Sequence, residues 1–149
     1  MEASILESDQ TMASSAFHPP ARCFALLPCA GVGSRAQAQG QPAWPKQYQS
    51  LAGQPMLAHT LAAFQALGKD LVGLAVVISP DDALLAQRLP ELASQGLTVL
   101  RSGGTTRADS VRQGLIAWAA LPGGPQPQDW VLVHDAARCL VTPAQIRHL

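Results

Sequence analysis

The sequence predicts an α/β fold, with helices on both faces of a mostly parallel sheet. From Cys23 onward, short apolar runs of strand length alternate with longer segments whose apolar residues recur at helical spacing. Repetition in that order implies right-handed crossovers, because parallel neighbours cannot be joined by a tight hairpin. An apolar fraction of 48% over 149 residues is also enough to bury the core of one domain.

Each element has its own signal. Residues 1–21 are rich in Ser, Ala and acidic groups and hold no apolar run of signal-peptide length, so they read as a disordered tail ahead of a domain at 22–149. Cys23 to Leu27 is a buried strand. Met56 to Leu67 is a helix with Leu57, Leu61, Phe64 and Leu67 on one face, stopped by Gly68. Leu74 to Ile78 is a second strand closed by Ser79-Pro80, and Asp82 to Leu89 a short helix. Thr98 to Arg101 is a third strand before Gly103-Gly104. Ala108 to Ala120 is a helix with Val111, Leu115 and Trp118 inward, broken by Pro122-Gly123-Gly124-Pro125. Trp130 to His134 is a fourth strand. Thr142-Pro143-Ala144-Gln145 opens a further helix with a capping-box pattern. It has room for about two turns before Leu149, so the domain is expected to continue beyond this sequence.

Composition removes several function classes. Ten basic and ten acidic residues cancel, leaving no overall field to attract nucleic acid or a membrane surface. No segment reaches the roughly twenty apolar residues of a membrane span. Cys23, Cys29 and Cys139 lack CxxC or Cys/His spacing, which argues for reduced thiols and against a disulfide framework or structural zinc. A soluble cytoplasmic protein is expected.

Parallel sheets of this type bind ligands beyond the carboxyl ends of their strands. Three features directly follow expected strands: the loop Pro28-Cys29-Ala30-Gly31-Val32-Gly33-Ser34-Arg35, the pair Gly103-Gly104, and Asp135. All three should therefore share one edge. Gly31 and Gly33 alone suit an ordinary tight turn. With Arg35 and Lys46 in the same segment they suit a polyphosphate, since bare amides approach phosphate closely and a planar fork and a point charge neutralise it.

Familiar nucleotide motifs fit poorly. Gly31-Val32-Gly33-Ser34-Arg35-Ala36 satisfies the loose dinucleotide fingerprint, but Pro42 and Pro45 interrupt the helix that should follow. The expected acidic residue about 20 positions on falls near Leu51. No Gly-Lys-Ser/Thr follows at P-loop spacing.

Pro28 to Arg35, Pro45-Lys46-Gln47-Tyr48, Gly103-Gly104-Thr105-Thr106-Arg107-Ala108-Asp109-Ser110-Val111 and Val133-His134-Asp135-Ala136-Ala137-Arg138 occur in one order. In this the chain resembles the 2-C-methyl-D-erythritol 4-phosphate cytidylyltransferases, from about Cys23 to Leu149. The resemblance implies a three-layer, Rossmann-like nucleotide-diphospho-sugar transferase fold, truncated at its C-terminus. It implies transfer of CMP from CTP to methylerythritol phosphate with release of pyrophosphate, in the non-mevalonate route to isoprenoids. Arg35 and Lys46 would then be catalytic cations. Backbone around Cys29, Ala30, Gly31 and Gly33 would hold the triphosphate, while Gly104, Thr105, Ser110 and Ala136 would meet cytosine and ribose. Asp135 would ligate Mg2+.

Simpler readings stand beside these. Arg107, Asp109 and Arg138 suit structural ion pairs, and His134 a packed strand residue; Trp118 and Trp130 suit core or edge packing. The stretch Gln37 to Trp44 is longer than usual for the family, Cys29 replaces a common Ala, and Cys139 replaces a Pro, which loosens the backbone after Asp135. The family's later segment supplies a homodimer arm, an Arg across the interface and a further Lys, none of them within residues 1–149. A non-catalytic CTP-binding fragment, or a cytidylyltransferase for ribitol 5-phosphate, therefore remains open.

Overall fold

Strand β1 (Cys23–Pro28) forms because four consecutive apolar residues, Phe24 to Leu27, can be buried from both sides at once. Runs of that kind suit the middle of a parallel sheet covered by helices. The protein is described here by a computed structural model covering residues 21–31 and 44–149. Apart from Ala21, the expected tail lies outside the described residues, as do Gly33 and Arg35.

Along the chain follow β2 (Ser50–Leu51), β3 (Gln54–Pro55), α1 (Met56–Gln65), β4 (Gly73–Val77), α2 (Leu84–Arg88), β5 (Thr98–Leu100), α3 (Arg107–Ala119), β6 (Trp130–Val133) and α4 (Pro143–Arg147). Four strands make one parallel sheet in the order β5-β4-β1-β6. The chain steps outward from β1 to β4 and β5, then returns through α3 to β6 on the other side of β1. Strand order thus reverses between β1 and β6, where such sheets leave a crevice at their carboxyl ends.

Alternate residues of β1 serve two cores. Ala25 and Leu27 pack with Leu57, Leu61 and Phe64 of α1, with Leu85 of α2 and with Ile146 of α4. Phe24 and Leu26 pack on the opposite face with Trp118, Val111 and Leu115 of α3. Phe24 and Trp118 meet edge to face, centroids 5.3 Å apart at 85°, an arrangement worth about 1 kcal/mol beyond its burial. The expected inward face of α3 is thereby borne out, and Trp130 proves to be an edge residue, 69% exposed. Gly114 lets α3 lie this close, since a Cβ there would overlap Val77.

Predicted boundaries shift by a residue or two, as helix and strand ends commonly do. The β2–β3 hairpin was not expected. Its two-residue turn, Ala52-Gly53, has φ of 50° and 83°, the twist that two-residue hairpins favour. Ala is a poor signal for that conformation. Thr142 does form a capping box with Gln145.

The entry to β1 is tied to the entry to β6. Arg22 Nη2 lies 2.6 Å from Asp129 Oδ2, and the Arg22 backbone N–H donates to Asp129 Oδ1 at 3.0 Å. The Asp129 side chain is 1% exposed. The hydrogen bond from Arg22 holds its carboxyl down to about 2. A carboxyl depressed on folding stabilises the protein above its ordinary value near 4 and loses that contribution as pH falls through the folded value. Asp129→Asn is expected to lower Tm at pH 7, with the gap from the unsubstituted protein closing between about pH 4 and pH 2. Thermal melts across that range check it.

Candidate functional site

All four parallel strands deliver a loop to one edge, and the loops enclose a cleft of about 560 Å³. After β1, the backbone N–H of Cys29 still donates to Val77 O at 2.7 Å, extending the ladder by one residue. Its thiol is buried, which raises the pKa, with the nearby Asp82 charge adding to the effect. Cys29 therefore has its amide and carbonyl bonded within the protein and its side chain buried. Ala30 and Gly31 do line the cleft.

After β5 the chain runs back against the β1 loop. Gly103 N–H donates to Ile78 O at 2.9 Å. A Cβ on Gly103 would stand 2.8 Å from that oxygen and overlap the Cβ of Ala30, so only glycine allows this approach. Thr106 then caps α3, accepting from Asp109 N–H at 3.0 Å and donating to its carboxylate at 2.7 Å. That hydroxyl is the main reason the Asp109 carboxyl sits below its usual range. Asp109 is thus a capping partner, where an ion pair was expected. Ser110 Oγ accepts from Gly104 N–H at 3.1 Å and donates to Thr106 O at 2.9 Å. Gly104, Thr105 and Ser110 all line the cleft.

After β6, Asp135 enters the cleft wall with both carboxylate oxygens occupied. Arg107 Nε approaches Oδ1 at 2.6 Å and Arg138 Nε approaches Oδ2 at 2.8 Å. The two arginines expected in ion pairs therefore make them with the expected metal ligand. Ala136 lies below this loop, buried, with its carbonyl accepting from Thr60 Oγ1 at 2.8 Å. His134 packs edge-on against Phe64, centroids 5.5 Å apart.

Lys46 belongs to a neighbouring hollow. It lies on the 3-10 turn Lys46–Tyr48 and lines an apolar groove of about 870 Å³ together with Met56, Phe64, Leu132 and Arg138. Arg138 joins the two hollows, since it also holds Asp135. Sequence reasoning missed Ser79, Pro80 and Asp81 on the cleft wall. Ser79-Pro80 follows β4 just as the other loops follow their strands, so the strand-end rule would have found it.

The fold and this strand-end cleft define an α/β nucleotidyltransferase-type domain. A sequence profile described as 2-C-methyl-D-erythritol 4-phosphate cytidylyltransferase matches residues 23–149, and the chain belongs to that family. It is 52% identical over 128 residues to a bifunctional enzyme IspD/IspF of Albidiferax ferrireducens, covering 86% of this chain and 28% of that one. It is 50% identical over 128 residues to a 2-C-methyl-D-erythritol 4-phosphate cytidylyltransferase of Paraburkholderia phytofirmans, covering 86% and 50%. A crystal structure of a 4-diphosphocytidyl-2C-methyl-D-erythritol synthase superposes with a TM-score of 0.69 at 29% identity, covering 89% of this chain and 54% of that one. The chain thus spans half or less of the length of these curated relatives.

Burial ranks the contacts of the cleft. Ser110→Ala strips Gly104 N–H of its partner inside a packed turn and is expected to cost about 1–3 kcal/mol in urea unfolding. Arg107 is 60% exposed, so Arg107→Gln is expected to cost less than about 1 kcal/mol.

Proposed function

We propose that this chain carries the CTP half of a cytidylyltransferase that transfers CMP from CTP to 2-C-methyl-D-erythritol 4-phosphate, releasing pyrophosphate. One observation carries the reading: Ala30-Gly31, Gly103-Gly104-Thr105 and Asp135 converge on a single cleft in a chain of this family. The base and ribose belong against the Gly104 loop and the triphosphate against Ala30 and Gly31. An oxygen of the acceptor phosphate attacks the α-phosphorus, and the bond to the bridging oxygen of the β-phosphate breaks as pyrophosphate leaves. The acceptor arrives already ionised, so no protein base is required, and positioned charge does most of the catalysis.

Among the described residues Lys46 and Arg138 are the two formal cations on the wall of the adjoining groove, which suits the acceptor phosphate and the developing charge. Gly33 and Arg35 take their proposed roles from motif position alone. Asp135 suits a magnesium ion: it offers one carboxylate at a strand end, and its arginine partners are 60% and 78% exposed and free to turn toward phosphate. Among the described residues no cluster of three acidic, His or Cys groups could hold a cation, which fits an ion that keeps water and substrate phosphate as ligands. Bound there, magnesium would neutralise charge on the triphosphate.

A second reading of these 149 residues is CTP binding without turnover. Pyrophosphate release with CTP, magnesium and methylerythritol phosphate separates the two. Under the first reading release is robust, and Lys46→Met lowers kcat/KM by about 10²–10³-fold. Calorimetric CTP binding without release selects the second, and a folded chain that binds no CTP overturns both. Ribitol 5-phosphate offered as acceptor tests acceptor choice.

A further inference from the structure

Among the described residues three polar residues are buried as whole residues, backbone included: Gln47, Thr60 and Ser110. Each bonds the backbone of a different cleft loop. Ser110 holds the Gly104 turn, Thr60 holds Ala136 beside Asp135, and Gln47 holds the loop after β1. Gln47 has the most to hold. Its Nε2 donates to Cys29 O at 2.7 Å and to Gly31 O at 3.1 Å, and the residue is 7% exposed. Both partners are acceptors, so the amide orientation is fixed.

The bonds also dictate where the loop's own donors point. The Ala30 carbonyl accepts from Ser79 Oγ at 3.3 Å, so the carbonyls of Cys29, Ala30 and Gly31 are all drawn onto the protein. In a trans peptide the carbonyl and the following N–H point in opposite directions. Drawing in the Cys29 and Ala30 carbonyls therefore turns out the N–H groups of Ala30 and Gly31, the two loop residues that line the cleft. Gln47 also follows Lys46 directly, within a turn anchored by Tyr48 Oη donating to Asp82 Oδ2 at 2.8 Å.

We propose that Gln47 is a positioning residue that locks the Cys29–Gly31 loop to the turn carrying Lys46 and so presents the loop amides to the triphosphate. The proposal rests on reading the cleft as a CTP site. It gives Gln47 a signature that a packing role lacks: its loss should weaken a triphosphate more than a monophosphate with the same base and sugar. Gln47→Met keeps the length and bulk but no donor. Gln47→Glu keeps the shape but sets a carboxylate against two carbonyl oxygens.

CTP and CMP are titrated calorimetrically, with magnesium, into the 149-residue chain and both variants, each checked for native circular dichroism. The ratio of CTP to CMP affinity is expected to fall about tenfold in Gln47→Met, the loss of two ordinary hydrogen bonds, and at least as far in Gln47→Glu. CTP and CMP weakened in equal proportion, or an unchanged ratio in whichever variant folds, overturns the role of Gln47 while leaving the CTP reading intact. An unsubstituted, folded chain that binds neither nucleotide overturns both.

Discussion

Everything at the cleft depends on β1 being paired in parallel on both sides. Its residues Phe24 to Leu27 are at most 1% exposed, and its two neighbours, β4 and β6, run in the same direction. Parallel pairing sends all carboxyl ends to one edge and forces every return through a crossover, so the loops gather where the strands stop. An antiparallel neighbour would have carried one of the loops to the far end of the sheet.

Apolar burial fixes the sheet but not the loops, which carry backbone groups that must be satisfied one by one. Two devices do so here. One is close backbone approach, as where Gly103 reaches Ile78 beside Ala30. The other is a buried hydroxyl or amide beneath three of the four loops, supplied from an element outside the loop itself in the cases of Gln47 and Thr60. The charged groups behave differently: Arg107, Arg138 and Asp135 stand partly in solvent and remain exchangeable. Geometry is thus fixed where buried groups hold the loop backbone and adjustable where the charged groups face solvent.

The parallel sheet and the two-sided core were legible because each strand announces itself by apolar run length and each long helix by periodicity. The convergence of Gly31, Gly104 and Asp135 followed from the same rule. What stayed hidden depends on direction. No periodicity states that the Cys29 amide is spent on Val77, or that Ala136 faces the core beneath Asp135. Gln47 was visible as part of a motif, yet its partners lie 18 and 16 residues away and only the folded backbone brings them to it. The Ala52-Gly53 hairpin was missed because its first positive φ is adopted by Ala, which gives no warning.

The tie between Arg22 and Asp129 spans 107 positions of sequence. At ribosomal rates of 5–20 residues per second, β1 emerges roughly 5–20 s before the partner that completes its second edge. During that interval β4 can dock on one side of β1 while the other side stays bare, so the nascent sheet has one finished flank and one unfinished one. The crevice between β1 and β6, where the Asp135 loop meets the β1 loop, is for this reason the part of the described cleft edge whose residues are the last to be synthesised.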